Sequence, residues 1–201
     1  MHITTDRAFV PAGAPAVRYL HIVINAPGEK VAMARDVALE IAVDPGVEAV
    51  LINDLPFERQ IDRLTAQLGN LVSDQEVSLV VAVAFKGTQE AGTALGVACR
   101  VMERDGVIPN HPMEVRWTAV DAAQDAKQPV NGDVILAAAS VLAERARQVA
   151  LAANAAGRFE AATRIIQDVL NDLQAFAQED RRVLEIIDLL QRDAREFGEA
   201  M

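Results

Sequence analysis

Cys99 is the single cysteine of the chain, and a thiol is the strongest nucleophile that side chains offer. Catalysis by a thiol needs a base held against it. Cys99 lies in the run GVACRVM, a strand pattern whose neighbours alternate between two faces, and there a lone cysteine reads as a small core residue. His2, His21 and His111 stand far apart, and none sits in an H-x-H or H-E-x-x-H spacing, so a zinc site is not expected. His111, in the turn-like PNHPME, reads as a solvated loop residue. Glu58 with Asp62 in ERQID, and Glu179 with Asp180 in QEDRR, have the residue types for general acid–base work. In a chain with 29 acids against 19 bases, such pairs read as ordinary surface charge. No G-x-x-x-x-G-K-[ST] or G-x-G-x-x-G string is present. GTQEAGTALG falls in a predicted hairpin and not ahead of a helix, so it lacks the donors of a phosphate cradle. The residues therefore indicate no catalytic, cofactor-binding or metal site, and the chain is expected not to be an enzyme. An enzyme acting through Cys99 is the competing reading, and it requires a reactive thiol.

The elements that would position these residues change character near residue 125. In VALEIAV, Val37, Leu39, Ile41 and Val43 point one way while Ala38, Glu40 and Ala42 point the other. DPG at 44–46 is strong turn chemistry, and with VEAVLI after it the pattern predicts a hairpin. Further strand-like runs are VRYLHIVI, RQIDRLTAQLG, EVSLVVAVAF, TALGVACRVM and MEVRWTAV; in the last, Met113, Val115 and Trp117 share a face. About seven short strands broken by Gly, Pro, Asn and Asp turns predict an antiparallel β-sandwich over residues 1–124.

Beyond the polar stretch DAAQDAKQPVNGD no proline occurs from Val130 onward. DVILAAASVLAERARQVALAANAAG predicts a long helix with Asp133 as N-cap and Gly157 as stop. RFEAATRIIQDVLNDLQAFA sets Phe159, Ala162, Ile166, Val169, Leu173 and Phe176 on one stripe. EDRRVLEIIDLLQRDAREFGEAM repeats the pattern with Val183, Ile186, Ile187, Leu190 and Phe197, its opening acids Glu179 and Asp180 suiting a helix N-terminus. The whole is therefore expected to be α+β: the sandwich, then a three-helix antiparallel tail over 125–201.

At 201 residues the chain can bury roughly 70% of its unfolded surface, enough for a core without staples. Hydrophobic residues make up 51% but aromatics only 4%, so that core is aliphatic. A net charge of −10 argues against nucleic acid, which demands clustered Lys and Arg, and against an anionic membrane surface. One cysteine allows no internal disulfide, which suits a reducing compartment. The start MHITTDRAFVPAGAP lacks the charge and apolar run of a signal peptide, and no apolar stretch is long enough to span a membrane. A cytoplasmic location is expected.

Two resemblances follow from longer runs. ALAANAAGRFEAATRIIQDVL has the form A…G-x-[FY]-x-x-A and resembles the helical hairpin of a tetratricopeptide repeat, with Gly157 at the turn and Phe159 and Ala162 between the helices. Only one such unit is visible, whereas a peptide-binding solenoid needs about three. The run ITTDRAFVPAGAPAVRYLHIVINAP resembles the segment that precedes the von Willebrand factor type A domain in a family of bacterial proteins. VAMARDVALEIAVDPGVEAVLIND looks like the segment that follows that domain, and LGNLVSDQEVSLVVAVAF, VRWTAVDAAQDAKQPVNGDV and AANAAGRFEAATRII are similar to later parts in the same order. The A domain itself is absent: no D-x-S-x-S metal-ion-dependent adhesion string occurs. The short join at 27–35 stands where that domain would be, so neither its cation nor its adhesion function carries over.

Two packable segments without an active-site grouping lead to the expectation of a non-enzymatic protein-interaction module, which the resemblance makes the scaffold of an A domain. Apolar surface left by so short a helical array gives it a protein partner, or itself as a homo-oligomer, through the tail. The alternative is a peptide-binding adaptor that uses the tetratricopeptide-like hairpin. It requires an open apolar groove between the last two helices, with Ile166, Val169, Ile187 and Leu190 free to line it.

Overall fold

A computed structural model describes residues 1–26, 33–177 and 180–197. The chain divides into two compact units, Met1–Asn131 and Gly132–Met201. The boundary expected at 124/125 falls inside a short helix, α1 (Ala122–Lys127), which belongs with the strands. Asp121 caps that helix by accepting from the Gln124 N–H at 2.8 Å, a role that a reading of DAAQDAK as plain linker overlooks.

The first unit holds ten strands among the described residues, where about seven were expected: β1 (His2–Thr5), β2 (Phe9–Pro11), β3 (Ala16–Asn25), β4 (Met33–Val43), β5 (Val47–Leu51), β6 (Phe57–Arg59), β7 (Arg63–Val72), β8 (Glu76–Phe85), β9 (Ala94–Met102) and β10 (Met113–Val120). They form a four-stranded sheet in the order β1-β3-β8-β5 and a six-stranded sheet in the order β2-β10-β9-β4-β7-β6. The sheets are not wholly antiparallel, because β2 runs parallel to β10. Two causes explain the larger number. The segment before VRYLHIVI adds β1 and β2, separated from β3 by a turn in which Gly13 takes φ +67°. RQIDRLTAQLG is a bent hairpin end instead of one strand: Gln60 N–H bonds Arg63 O at 2.8 Å, closing a turn between β6 and β7.

Two expected hairpins are crossings between sheets. β5 pairs with β8 and not with β4, so the turn at 44–46 carries the chain from the six-stranded sheet to the four-stranded one. Asp44 holds that corner to β9, its N–H bonding Gly96 O at 3.1 Å and its carboxylate accepting from Gly96 N–H at 2.9 Å. GTQEAGTALG likewise joins β8 to β9 across the sheets. Both crossings serve the same end, since each sheet has one apolar face and buries it against the other. Leu20, Ile22 and Ile24 of β3, Leu79, Val81 and Val83 of β8, and Leu39 and Ile41 of β4 are all sealed in that core. Trp117 meets Phe85 edge-on, with ring centroids 5.3 Å apart.

One flank of the sandwich is closed by buried polar groups. Arg18 donates to Phe9 O at 2.8 Å, to Val17 O at 3.0 Å and to Asp125 Oδ1 at 2.5 Å, so β3, β2 and α1 share one guanidinium. Gln128 accepts from the Ala8 and Phe9 N–H groups, while the Trp117 indole N–H donates to Arg7 O at 2.9 Å. Asp6 accepts from the Tyr19 N–H, and burial raises its carboxyl above the ordinary carboxylate range, against the opposing pull of that bond and of Arg18.

The second unit contains α2 (Gly132–Ala155), α3 (Phe159–Phe176) and α4 (Arg181–Glu196). α2 begins at Gly132, so Asp133 stands inside its first turn instead of capping it, and its carboxylate accepts from Arg182 at 2.9 Å. Gly157 ends the α2 turn at φ +71°, as the Gly at a helix stop should. Asp180 caps α4 through the Arg182 N–H, and the Arg182 side chain beside it holds its carboxyl below the usual range. Glu179 and the Pro27–Ala32 part of the join lie outside the described residues; Met33 to Arg35 belong to β4.

Candidate functional site

Cys99 is fully buried on β9, opposite Ile41 of β4, and desolvation pushes its thiol up to about 12. A thiol so protonated offers almost no thiolate near neutral pH. His21 bonds Ser78, Nε2 to Oγ 2.8 Å, across neighbouring strands on the outer face of the four-stranded sheet. The pair has the types of a nucleophile and its base. Among the described residues no carboxylate bonds the ring, so the pair lacks the orienting third member of a triad. His111 and Glu58 are exposed on other segments, while His2 is exposed on β1, opposite Val23 and so in the row of the sheet that holds Ser78. Among the described residues no three His, Cys, Asp or Glu side chains gather as metal ligands.

Glu40 points away from Leu39 and Ile41, as the alternation in VALEIAV predicts, yet it is only 8% exposed. Its carboxylate lies between Arg63 of β7, at 3.0 Å, and Arg100 of β9, at 2.8 Å. Arg100 stands directly across from it in the β4–β9 register. This Arg–Glu–Arg row ties three strands on the outer face, and it also fixes Arg63 at the rim of the opposite flank.

That flank is open. β5 is the edge of the four-stranded sheet and β6 the edge of the six-stranded one, and they lie on the same side. Between β5 and the β6–β7 hairpin is a notch of about 270 Å³. Its floor is apolar, from Val43, Val47, Ala49 and Leu64. Its rim carries Arg59, Arg63 and Lys86 against a single acid, Glu48. Arg59 spans the two sheets, donating to Glu48 at 2.9 Å and to Ala49 O at 2.5 Å, so it covers one of the free carbonyls of the β5 edge. Among the described residues no acid pairs with Lys86. At the hairpin tip Ile61 is wholly exposed (105%), and Phe57 on β6 is half exposed.

Sequence reasoning treated this stretch as strand plus surface acids and passed over Arg59, Ile61 and Arg63. The signal in the sequence was slight: one Ile stands among five charged or amide neighbours in FERQIDR, and single apolar residues on a surface are ordinary.

In the helical unit Ala162, Ile166, Leu170 and Leu173 of α3 and Val183, Ile187 and Leu190 of α4 are buried. Val169 is half buried, so most of the side chains that a peptide groove between these helices would need are spent inside the array.

No protein-family model matches the chain, and no curated protein matches it. Among solved structures it is similar to a von Willebrand factor type A protein from Catenulispora acidiphila, at 15% identity and TM-score 0.46, over 82% of this chain and 45% of that one. It is also similar to VWA2, the ArnB paralog of Sulfolobus acidocaldarius, at 15% identity and TM-score 0.39, over 82% and 41%. A third likeness is to BcpA, the major pilin subunit of Bacillus cereus, at 10% identity and TM-score 0.38, over 60% and 40%. The chain spans less than half the length of each of these three. Likeness of this degree says nothing about activity or partner.

Proposed function

We propose that this chain is a non-enzymatic protein-interaction module and, more narrowly, the scaffold part of a von Willebrand factor A-domain-type protein without its metal-binding domain. The observation that carries the interaction reading is the open flank, where Ile61 and Phe57 stand out beside a notch between two sheet edges. Exposed apolar side chains at an unpaired edge are a liability unless a partner covers them.

The scaffold reading draws its support from the order of the resembling segments and from where their gap falls. β3 ends at Asn25 and β4 starts at Met33, and the neighbouring Ala26 and Ala34 are buried in one core. A domain inserted there would leave the strands of the sandwich intact, because both flanking strands already belong to one body. A cytoplasmic location forms part of the proposal, supported by the lone cysteine. So does self-association through the helical tail, for which Val149 and Leu151 on α2 and Leu184 and Leu189 on α4 are exposed; a strictly monomeric mass in solution would remove that part.

A photo-reactive residue installed in turn at Val17, Phe57, Ile61 and Leu189 of the full chain, in cells that naturally make it, tests the reading. A discrete cross-linked protein from at least one of these positions is expected. Silence at all four, with the chain folded and expressed, would overturn it.

A further inference from the structure

We infer that the notch between β5 and the β6–β7 hairpin receives an extended acidic segment of a partner protein, one apolar side chain entering the floor and carboxylates meeting Lys86 and the arginine rim. This rests on the interaction reading above and names the partner's chemistry.

Charge selects the occupant. The chain carries a net charge of −10, and at the notch Arg59 is paired with Glu48 and Arg63 with Glu40 and Asp62, which leaves Lys86 as the lining cation with no acid on it among the described residues. Arg59 is anchored by Glu48, and Arg63 by Glu40 and Asp62, so their positions are set before anything binds. Lys86 has no acid paired with it among the described residues, and its ammonium is the group a partner carboxylate would neutralise.

Shape selects an extended segment. Beneath the rim Val47, Ala49 and Leu64 leave an apolar floor wide enough for one side chain. β6 pairs with β7 on one side only, through Phe57↔Ala66 and Arg59↔Leu64, so its other edge offers main-chain groups to an added strand. Ile61, standing free of the hairpin, would close over that strand from above.

Two other occupants fit less well. A second copy docked through this flank about a two-fold axis would set Lys86 against its own counterpart and leave its ammonium without a carboxylate. An anionic membrane would welcome Ile61 and the cations, but the surrounding negative charge opposes approach, and a concave notch makes poor use of a flat surface.

The test selects peptides from a random displayed library on the full chain and measures synthetic copies of the winners by fluorescence anisotropy. Lys86→Glu and Ile61→Asp are the variants, since both side chains are exposed and neither is bonded into the fold. Enriched peptides should be acidic with interspersed apolar residues, and each substitution should weaken them about tenfold or more. Basic or neutral winners, no winners, or acidic winners indifferent to both substitutions would overturn the inference. So would binding of phosphatidylserine vesicles that Lys86→Glu abolishes. Cross-linking at Val17 or Leu189 with the notch silent would sink the inference while leaving the interaction reading in place.

Discussion

Cys99 and Asp6 are both buried ionisable groups, and burial holds both in the protonated form more strongly than water would. For Cys99 the outcome is chemical silence. With the thiol pushed up to about 12, a disulfide reagent should label it only as fast as the sandwich opens; rapid stoichiometric labelling of folded protein would contradict its place in the core. For Asp6 the outcome is a pH dependence of stability. Its folded-state pKa is raised, so the contribution it makes is fully present below the unfolded value near 3.8 and is lost as pH rises through the folded one. Asp6→Asn retains an acceptor for the Tyr19 N–H and removes that loss. The variant should therefore gain in melting temperature relative to the parent as pH climbs from about 4 toward neutrality, and a difference that is flat with pH would refute the assignment. Arg18 is the opposite case, a charge whose partners are already in place. Arg18→Met takes the cation from Asp125 while Gln128 Nε2 still donates to Asp125 and to Phe9 O, and denaturant unfolding should show a loss of about 3 kcal/mol.

Among the elements, β3 is one of the two inner strands of the four-stranded sheet, between β1 and β8. Deleting residues 1–26 removes β1 and β3 from that sheet and β2 from the other, leaving β8 paired only with β5. An aggregating product is expected, by light scattering of the refolded protein; a soluble, cooperatively melting one would show the amino-terminal strands to be dispensable. Gly87, in the β8–β9 crossing, has φ +83°, and an added Cβ would come within 2.5 Å of Pro15 N. Gly87→Ala should lower stability by about 1–3 kcal/mol, read from the denaturation midpoint, because the backbone must move to admit the methyl.

For the whole molecule, the excess of acids sets behaviour in solution. The chain should be least soluble near its isoelectric point of about 4.8, where self-repulsion vanishes, and turbidity against pH checks this. Strand identity in VALEIAV, EVSLVVAVAF and MEVRWTAV was legible in the order of residues, because a period of two is written into which neighbours are apolar. The same holds for the three long helices, with their period near 3.6 and Gly157 at a stop. Pairing was not legible. DPG and GTQEAGTALG carry the chemistry of tight turns, but whether a turn folds a strand back on its neighbour or throws it to a facing sheet depends on which apolar faces must meet, and that is a property of all the strands together. Glu40 makes the same point for a single residue. Its alternation marks it as outward-facing, and only Arg63 and Arg100, brought from strands 23 and 60 positions away, bury its carboxylate. The notch, too, exists only because two edges from different sheets end on one side, an adjacency that local sequence has no means to record.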